Sequence, residues 1–480
     1  MAKKVVRPNE DEDYVEDDSP PVTIADASGE EGKMKTIVSL LKKFMGVKDL
    51  ANLRLSLPAS LIEPVPNLEY WTAGDRADMF AAIGDSEDSL ERMLAVLRFS
   101  FTFQLKFVRG KVCKPYNSVL GEHFRCHWLL PPSTVDPDTK EPVINTCLHQ
   151  PNVGDPSISG YNTPGEAAGS ETSSIRSFSS KSMKSMKSQS RLDVSADNVS
   201  SVKVAFLCEQ VSHHPPISSA YYSCPEKGVE AVAIDQISAK VSGMSVKIAP
   251  GVYNKGVFIR VKKTDEEYQV TNPTANVNGL LKGSYYGTIS DNVTITCRGG
   301  SSTERYRTII EYKDESWISK PRFALEGVVY KYATADAEKA ESWNKIKDVP
   351  AAQVVGTLEG CWRKQITFKL KATKETRMLI DLDILAVIPK NVRPLTAQSE
   401  FESRRLWDSV TQKMLAKNYT DATTAKQAIE QDQRNRAAER KKEGIEFEPR
   451  FFEPNIDDGR PRLTEAGRKA IEAELAGEGY

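Results

Sequence analysis

Short segments in which apolar and polar residues alternate follow one another along the middle of this 480-residue chain. Alternation with a period of two, bounded by Gly, Asn or Asp as at Asp291-Asn292, is typical of half-buried β-strands. The segments are Val229–Ile248, Val257–Val261, Tyr268–Val270, Val293–Cys297, Thr308–Tyr312 and Phe323–Tyr332. Such a succession predicts an antiparallel meander whose outer strands must close on each other or be covered, because open edges promote aggregation.

The pattern predicts a mainly β protein with α-helices (α+β), built on a large, near-closed antiparallel β-barrel. The interior of such a barrel is too wide for side chains alone to fill, so an elongated apolar ligand can occupy it as a tunnel. We assign residues 49–395 to the barrel and residues 396–480 to a C-terminal helical region. Helices are predicted near 400–414 and 423–442, and the residues beyond Pro454 are predicted to be charged and peripheral.

One predicted strand leads into two adjacent histidines. The apolar run Val204–Cys208 continues into Glu209-Gln210-Val211-Ser212-His213-His214-Pro215-Pro216. We expect the two prolines to end the strand at a rim of the barrel, because proline cannot donate to a sheet and keeps the preceding residue extended. Adjacent side chains on an extended chain point to opposite sides, which disfavours a metal ion shared by the histidines.

Anion binding fits these histidines better than metal binding. Imidazole and phosphate each favour the charged form of the other, so His213 and His214 are candidates for contacting a phosphate group. The alternative is a strand end whose two histidines have only structural partners.

Composition excludes several classes of partner. The formal net charge of −1 argues against a nucleic-acid-binding protein, which needs a basic surplus. The seven cysteines are scattered without a C-x-x-C pattern, so neither a zinc site nor a disulfide framework is indicated, and a reducing cytosol fits them. No run of about 18 apolar residues is present, so we expect a soluble protein with no spanning helix, metal or cofactor.

Three segments lie outside the predicted barrel walls. Residues 1–33, with seven acids between Glu10 and Asp18, predict a disordered tail. Residues 34–48 predict an amphipathic helix that either packs on the core or has a functional role. Residues 155–201 are rich in serine and predict a disordered insertion; a basic patch controlled by phosphorylation is the alternative reading.

Two further motifs contain basic residues. The first is Lys114-Pro115-Tyr116-Asn117-Ser118-Val119-Leu120-Gly121-Glu122, and the second places Lys426, Glu430 and Arg434 four residues apart on a helix. Taken alone, the basic cluster that ends in the first motif, Lys106, Arg109, Lys111 and Lys114, indicates a solvated charged face. The second indicates an ion-pair ladder worth about a few tenths of a kcal/mol.

EQVSHHPP and these two motifs together make the chain resemble the oxysterol-binding-protein-related family of lipid-transfer proteins, from about Leu53 to about Phe452. The resemblance implies a head-group site for phosphatidylinositol 4-phosphate (PI4P) made by Lys114, Asn117, His213, His214, Lys426, Glu430 and Arg434. It also implies that helix 34–48 is a lid, with Ile37, Leu40, Leu41 and Phe44 as its apolar face.

A segment ahead of the barrel bears on the second lipid. Leu57, Pro58 and Glu63 match a Leu-Pro-Thr-Phe-Ile-Leu-Glu segment that lines the tunnel of the family's phosphatidylserine carriers, and we include Ile62 in the same segment. Ala59-Ser60 replaces the Thr-Phe pair. The change removes apolar contact area, which weakens the resemblance to phosphatidylserine carriers and favours sterol.

These implications predict a cytosolic, monomeric carrier that exchanges PI4P for sterol and associates peripherally with anionic membranes, including contact sites of the endoplasmic reticulum. The alternatives are exchange of phosphatidylserine for PI4P, or a regulator that binds lipid without transporting it. An enzyme is disfavoured, because G-x-S-x-G and H-E-x-x-H are absent and neighbouring Ser212 and His213 cannot form a nucleophile and base pair.

Overall fold

In the computed structural model, an antiparallel sheet of twelve strands forms the body of the protein. The structure describes residues 62–109, 114–130, 202–242, 245–279, 286–313, 322–385 and 387–479, together with the strand residues 22–23 and 55–56. The strands are β1 Val22–Thr23, β2 Leu55–Ser56, β3 His123–Leu130, β4 Val202–His213, β5 Pro216–Cys224, β6 Val229–Asp235, β7 Ile237–Ser242, β8 Ser245–Pro250, β9 Val257–Val261, β10 Glu266–Val270, β11 Thr274–Asn278, β12 Tyr286–Ser290, β13 Asn292–Gly299, β14 Glu304–Tyr312, β15 Ala324–Ala333, β16 Val354–Cys361, β17 Gln365–Leu370 and β18 Thr376–Asp381. The α-helices are α1 Asn67–Tyr70, α2 Ala77–Ala82, α3 Ser89–Phe101, α4 Leu105–Arg109, α5 Ala337–Ser342, α6 Ser403–Leu415, α7 Tyr419–Glu443 and α8 Glu465–Ala476.

The twelve strands lie in the order β18-β17-β16-β15-β14-β13-β10-β9-β6-β5-β4-β3, and every pairing between them is antiparallel. Edge strand β3 is covered by the chain that follows β18. His127 and Asn391 exchange backbone hydrogen bonds of 3.1 and 2.7 Å. Within the described residues the two edge strands, β3 and β18, do not pair with each other. The sheet is therefore the predicted near-closed barrel, in which no ladder of hydrogen bonds joins the two edges.

We define the inner face of this sheet as the face that packs against helices α1–α4. Alternate residues of each strand point to it, as Val204, Phe206 and Cys208 do on β4. The predicted apolar stripe of α3 is confirmed, since Met93, Leu94, Leu97 and Phe101 are buried there and Leu90 is partly buried. The inner face is therefore apolar along most of its length.

A second sheet of four strands, in the order β12-β11-β8-β7, continues four strands of the first sheet. The predicted run Val229–Ile248 is consequently three strands rather than one. The first break in this run is at Gln236, because this residue leaves the strand ladder and binds the loop that follows β8. Gln236 accepts hydrogen bonds from Gly251 N through its carbonyl and from Tyr253 N through Oε1, both at 2.8 Å.

The N-terminal predictions fall largely outside the described residues. Val22–Thr23 pairs in parallel with Leu55–Ser56. The rest of the tail, the helix at 34–48 and the insertion at 155–201 lie outside the part of the chain that the structure describes.

Helices α6 and α7 confirm both predicted C-terminal helices, but the prediction that residues beyond Pro454 are peripheral is wrong. Helix α8 packs on the outer side of β4. Its contact includes Ala205, Leu207, Phe451, Phe452, Ala470 and Ile471, all of them buried. Burial of this apolar surface makes the last helix part of the fold. No described helix is both long and apolar enough to cross a membrane.

Candidate head-group site

The β4–β5 hairpin presents the two histidines at one end of the sheet. β4 ends at His213, a turn at His214-Pro215 follows, and β5 begins at Pro216, which pairs with His213. The rings of His213 and His214 meet edge to face with centroids 4.5 Å apart, so the expectation that they point to opposite sides is wrong. The reason is that His214 lies in the turn and no longer follows the alternation of the strand. Pro216 also starts a strand instead of helping to end one, a position that proline tolerates.

The segment from Lys114 to Glu122 is fixed against the C-terminal helices. The Tyr116 ring stacks on Trp407 of α6 at 4.7 Å, and its hydroxyl lies 2.9 Å from Thr411 Oγ1. Lys114 Nζ donates a 2.6 Å hydrogen bond to Asn117 Oδ1, which places the ammonium and the amide together. The two residues implicated in head-group binding thus stand on an anchored loop.

Backbone hydrogen bonds join this segment to the strand that carries the histidines. Gly121 N donates to Gln210 O at 3.0 Å, and Gln210 N donates to Glu122 O at 2.8 Å. Gly121 has a φ of 80°, which a residue with a β-carbon rarely adopts. Gln210 stands three residues before His213, so the structure brings the first motif beside the paired histidines.

Helix α7 supplies the third motif. Lys426 is buried and forms a 2.5 Å ion pair with Glu430, while Arg434 donates from Nε and Nη2 to Gln431 Oε1 at 3.1 and 2.8 Å. Of the predicted ion-pair ladder, the pair of Lys426 and Glu430 is therefore formed, whereas Arg434 contacts a neutral amide. A cation with a neutral partner keeps its charge available to an anion.

The pKa of Lys114 connects the first and third motifs. Lys114 as a residue is exposed, yet its pKa is lowered to about 8 because protein atoms displace water around the ammonium and because the positive charge of Lys426 lies near. The carboxylate of Glu430 acts in the opposite direction. The ammonium groups of Lys114 and Lys426 thus lie near enough to repel each other, with the Glu430 carboxylate also nearby, and a bound anion would relieve this repulsion.

A buried carboxyl group lies under the site. Glu122 is fully buried and accepts hydrogen bonds from Ser403 Oγ at 2.7 Å, Trp407 Nε1 at 3.0 Å and Val119 N at 3.0 Å. Burial raises its pKa to about 7, and the three hydrogen bonds only partly oppose that shift. Glu122 ties the Lys114 segment to helix α6.

The comparisons with known proteins follow the same motifs. The sequence profile of the oxysterol-binding protein family matches residues 36–419. This chain belongs to the oxysterol-binding protein family. Oxysterol-binding protein-like protein 1 of Schizosaccharomyces pombe is 43% identical to it, over 94% of this chain and 92% of the relative.

Solved structures of family members share the fold. The Osh1 ORD domain in complex with ergosterol matches with a TM-score of 0.57 at 19% identity, covering 97% of this chain and 92% of that one. The Osh3 ORD of Saccharomyces cerevisiae in complex with PI(4)P matches with a TM-score of 0.57 at 16% identity, covering 92% and 93%. A sheet of this size with helices on its inner face is therefore an established architecture in the family.

Other residues predicted from the family motifs fall in different places. Ile62 is buried in an apolar cluster with Tyr116 and Trp407, and the exposed Glu63 donates its backbone N–H to Lys114 O at 2.9 Å. Their suggested role in the tunnel remains a prediction. The lid residues Ile37, Leu40, Leu41 and Phe44, with Leu57 and Pro58, lie outside the described residues.

Sequence reasoning missed a row of polar residues on the inner face. Gln210 pairs with Ser218 and Ser218 with Asp235 across β4, β5 and β6, and all three continue the alternation of inward apolar residues. Burial raises the pKa of Asp235, and the nearby charge of Lys106 partly opposes the shift. Only strand register shows that these residues are neighbours, so their spacing in the sequence gives no signal.

Within the described ranges, no group of three or more His, Cys, Asp and Glu side chains is arranged to hold a metal ion. The polar groups on the three motifs are ammonium, guanidinium, imidazole and amide donors, which suit an anionic ligand.

The pKa of Lys114 predicts how head-group binding depends on pH. Because the ammonium is lost as pH rises through about 8, we expect affinity for PI4P to fall above that pH. Below about pH 6 the phosphate monoester itself loses charge, so affinity should be highest between these limits. Lys114→Arg should keep its charge and abolish the decline on the alkaline side. Vesicle extraction measured across pH tests this, and an identical alkaline decline in Lys114→Arg would contradict it.

Proposed function

We propose that this protein extracts PI4P from one membrane and exchanges it for sterol from another. Two observations support the proposal: the segment that carries Lys114 and Asn117 is hydrogen-bonded to the strand that ends at His213, and the charge of Lys426 lies near enough to lower the pKa of Lys114. Charge-assisted hydrogen bonds from such donors to a phosphate are about twice as strong as neutral ones. A monoester phosphate with roughly −1.5 to −2 charges fits a cluster of this kind.

The apolar inner face supports the transport step. At about 0.8 kcal/mol per buried CH₂, exposing one 16-carbon acyl chain to water costs on the order of 13 kcal/mol. Spontaneous escape of a lipid from a bilayer is therefore slow. A tunnel that encloses the chain removes most of this barrier, and residues 34–48 as a lid would complete the enclosure.

Sterol is our choice for the second lipid. Family members have been solved with ergosterol and with PI(4)P, and two lipids that compete for one tunnel can be exchanged between membranes. The polar row Gln210, Ser218 and Asp235 gives a sterol hydroxyl hydrogen-bonding partners on a wall that is otherwise apolar.

Exchange of phosphatidylserine is the alternative. Asp235 and Lys106 place opposite charges near each other, and a serine head group carries an ammonium and a carboxylate. The partial match at Leu57, Pro58 and Glu63 points the same way. This alternative leaves the PI4P site unchanged.

We place the protein in the cytoplasm, acting at membrane surfaces such as contact sites of the endoplasmic reticulum. Its family is one of lipid-binding proteins, and we propose no catalytic role. A regulator that binds lipid without moving it would share the same site. Lipid transfer between vesicles is the measurement that separates the two roles.

Native mass spectrometry of the purified protein identifies the lipids it retains. We expect complexes with PI4P and with a sterol, present in separate populations because both occupy one tunnel. Retention of phosphatidylserine without sterol would favour the alternative. Retention of no lipid by a folded protein would contradict the proposal.

Helix α7 offers a matched pair of arginines to test the site. Arg434→Gln should weaken PI4P binding by roughly 10-fold or more, because a charge-assisted hydrogen bond contributes about 1.5–3 kcal/mol. Arg436, two residues along, is already paired with Asp432 at 2.7 Å and Glu400 at 3.3 Å. Arg436→Gln should therefore leave binding close to wild type. Equal losses in both variants would show a general electrostatic effect and contradict the assignment of Arg434.

A further inference from the structure

A partly buried arginine lies in the turn between β16 and β17, away from the three motifs. The guanidinium of Arg363 stacks on Phe323 with 4.6 Å to the ring centroid and lies 5.5 Å from the Trp362 centroid. The two rings meet edge to face at 5.4 Å. Arg363 Nη2 donates to Phe107 O on helix α4, so its only described acceptor is neutral.

The charge of Arg363 is not neutralised within the described residues. No carboxylate there lies within ion-pair distance of it, and its Nε is buried with no hydrogen-bond partner. Two other stacked arginines are paired: Arg377 over Phe368 pairs with Glu91, and Arg460 over Phe258 pairs with Glu267. Burial lowers the pKa of Arg363, which shows that its surroundings disfavour the cation, although an arginine stays charged at any physiological pH.

Partial burial of a cation that has no counter-charge among the described residues is costly, so its persistence needs an explanation. Phe323, which forms one side of the clamp, adopts a φ of 54° that is unfavourable for a residue with a β-carbon. Unfavourable backbone geometry of this kind is concentrated at functional sites. The planar guanidinium of Arg363 has an Nε–H group without an acceptor, and a guanidinium of this kind is suited to donate to a phosphate oxygen.

Arg363 is at the same end of the sheet as the histidines. β4 and β16 are separated by eight pairings in the order β16-β15-β14-β13-β10-β9-β6-β5-β4, and all of them are antiparallel. An even number of reversals gives two strands the same direction. β4 ends at His213 and β16 ends at Cys361, two residues before Arg363, so both turns lie at the same end of the sheet.

We propose that Arg363 and its aromatic clamp form a second anion subsite, which takes the phosphate group of a phospholipid as that lipid enters or leaves. The subsite rests on the proposed lipid-exchange function but uses none of the PI4P motifs. A phosphodiester supplies the missing negative charge, whereas a sterol has none to offer. Arg363 therefore distinguishes phospholipid cargo from sterol.

The test compares Arg363→Met with Arg460→Met, which removes a stacked arginine whose charge is already paired. Uptake of labelled PI4P from phosphatidylcholine vesicles should be about 10- to 100-fold weaker in Arg363→Met and unchanged in Arg460→Met. Sterol uptake should be the same in all three proteins. Arg363→Lys, which keeps the charge without the planar fork, should recover part of the loss.

Thermal unfolding separates this role from a structural one. Removal of an unneutralised, partly buried cation should leave Tm unchanged or raised, while loss of a structural contact would lower Tm and weaken every lipid alike. Wild-type uptake of PI4P by Arg363→Met, or equal loss of sterol and PI4P uptake, would overturn the subsite.

Calorimetry with inorganic phosphate identifies the source of the anion. Phosphate binding that is lost in Arg363→Met, with lipid uptake unaffected, would show a site for free phosphate and would overturn its assignment to phospholipid. If wild-type protein takes up no lipid at all, the proposed function fails, and the calorimetric comparison still tests Arg363 independently.

Discussion

Replacing both His213 and His214 with alanine is expected to abolish measurable extraction of PI4P. In either protonation state an imidazole donates at least one N–H, and the two rings stand together at the hairpin turn, 4.5 Å apart. Two charge-assisted hydrogen bonds at about 1.5–3 kcal/mol each correspond to a loss of roughly 10²- to 10⁴-fold in affinity. Extraction from PI4P-containing vesicles is the measurement.

Sterol binding is the internal control for this double variant. A sterol has a single hydroxyl and gains nothing from cationic groups, so its uptake should persist at the wild-type level. Retention of sterol binding also shows that the variant is folded. Extraction of PI4P at the wild-type rate would contradict the assignment of the head-group site.

The second large effect concerns stability. Glu69 on α1 is buried and accepts hydrogen bonds from Arg404 Nε at 2.9 Å and Nη2 at 2.6 Å, with Lys390 Nζ at 3.3 Å. Glu69→Gln leaves two cations without their shared counter-charge, which should lower the free energy of unfolding by about 3–5 kcal/mol. Denaturant titration measures this. The exposed pair of Asp432 and Arg436 is the control, because Asp432→Asn should cost less than about 1 kcal/mol.

The same carboxylate predicts a stability that depends on pH. Burial on its own would raise the pKa of Glu69, but Arg404 and Lys390 outweigh it and lower the pKa from 4.5 to about 2. Because the folded-state pKa is the lower one, the group's contribution of about 3 kcal/mol is present above pH 4.5 and is lost as pH falls toward 2. Glu69→Gln should lack this component. An unchanged acid dependence in that variant would contradict the ion-pair account.

Local sequence patterns were sufficient to predict many of the strands and helices. Alternation predicted strands such as β9 and β14, and helical spacing predicted α3, α6 and α7, because each signal is contained within one element. The break at Gln236 was missed, since it depends on hydrogen bonds to a loop fifteen or more residues away. The packing of the helix that follows Thr464 was missed because its apolar residues are few and acquire their role only against β4.

The same distinction between local sequence patterns and tertiary contacts applies to the candidate site. The motif residues could be predicted because each motif is a continuous or periodic pattern in the sequence. The connections between motifs could not, because they are tertiary: Glu122 reaches Trp407 across 285 positions, and Glu209 holds the backbone N–H groups of Arg450 and Phe451 at 2.8 Å. In the sequence alone, Asp235 and Arg363 cannot be told apart from ordinary surface charges. Strand register and burial are needed to show their surroundings.

Exchange between two vesicle populations tests the central claim most directly. Donor vesicles contain PI4P, acceptor vesicles contain sterol, and the movement of both lipids is followed at the same time with specific probes. We predict that sterol in the acceptor accelerates PI4P transport and that sterol moves the opposite way in equal amount. Lipid that is bound but not moved, or PI4P transport that phosphatidylserine accelerates and sterol does not, would contradict the account.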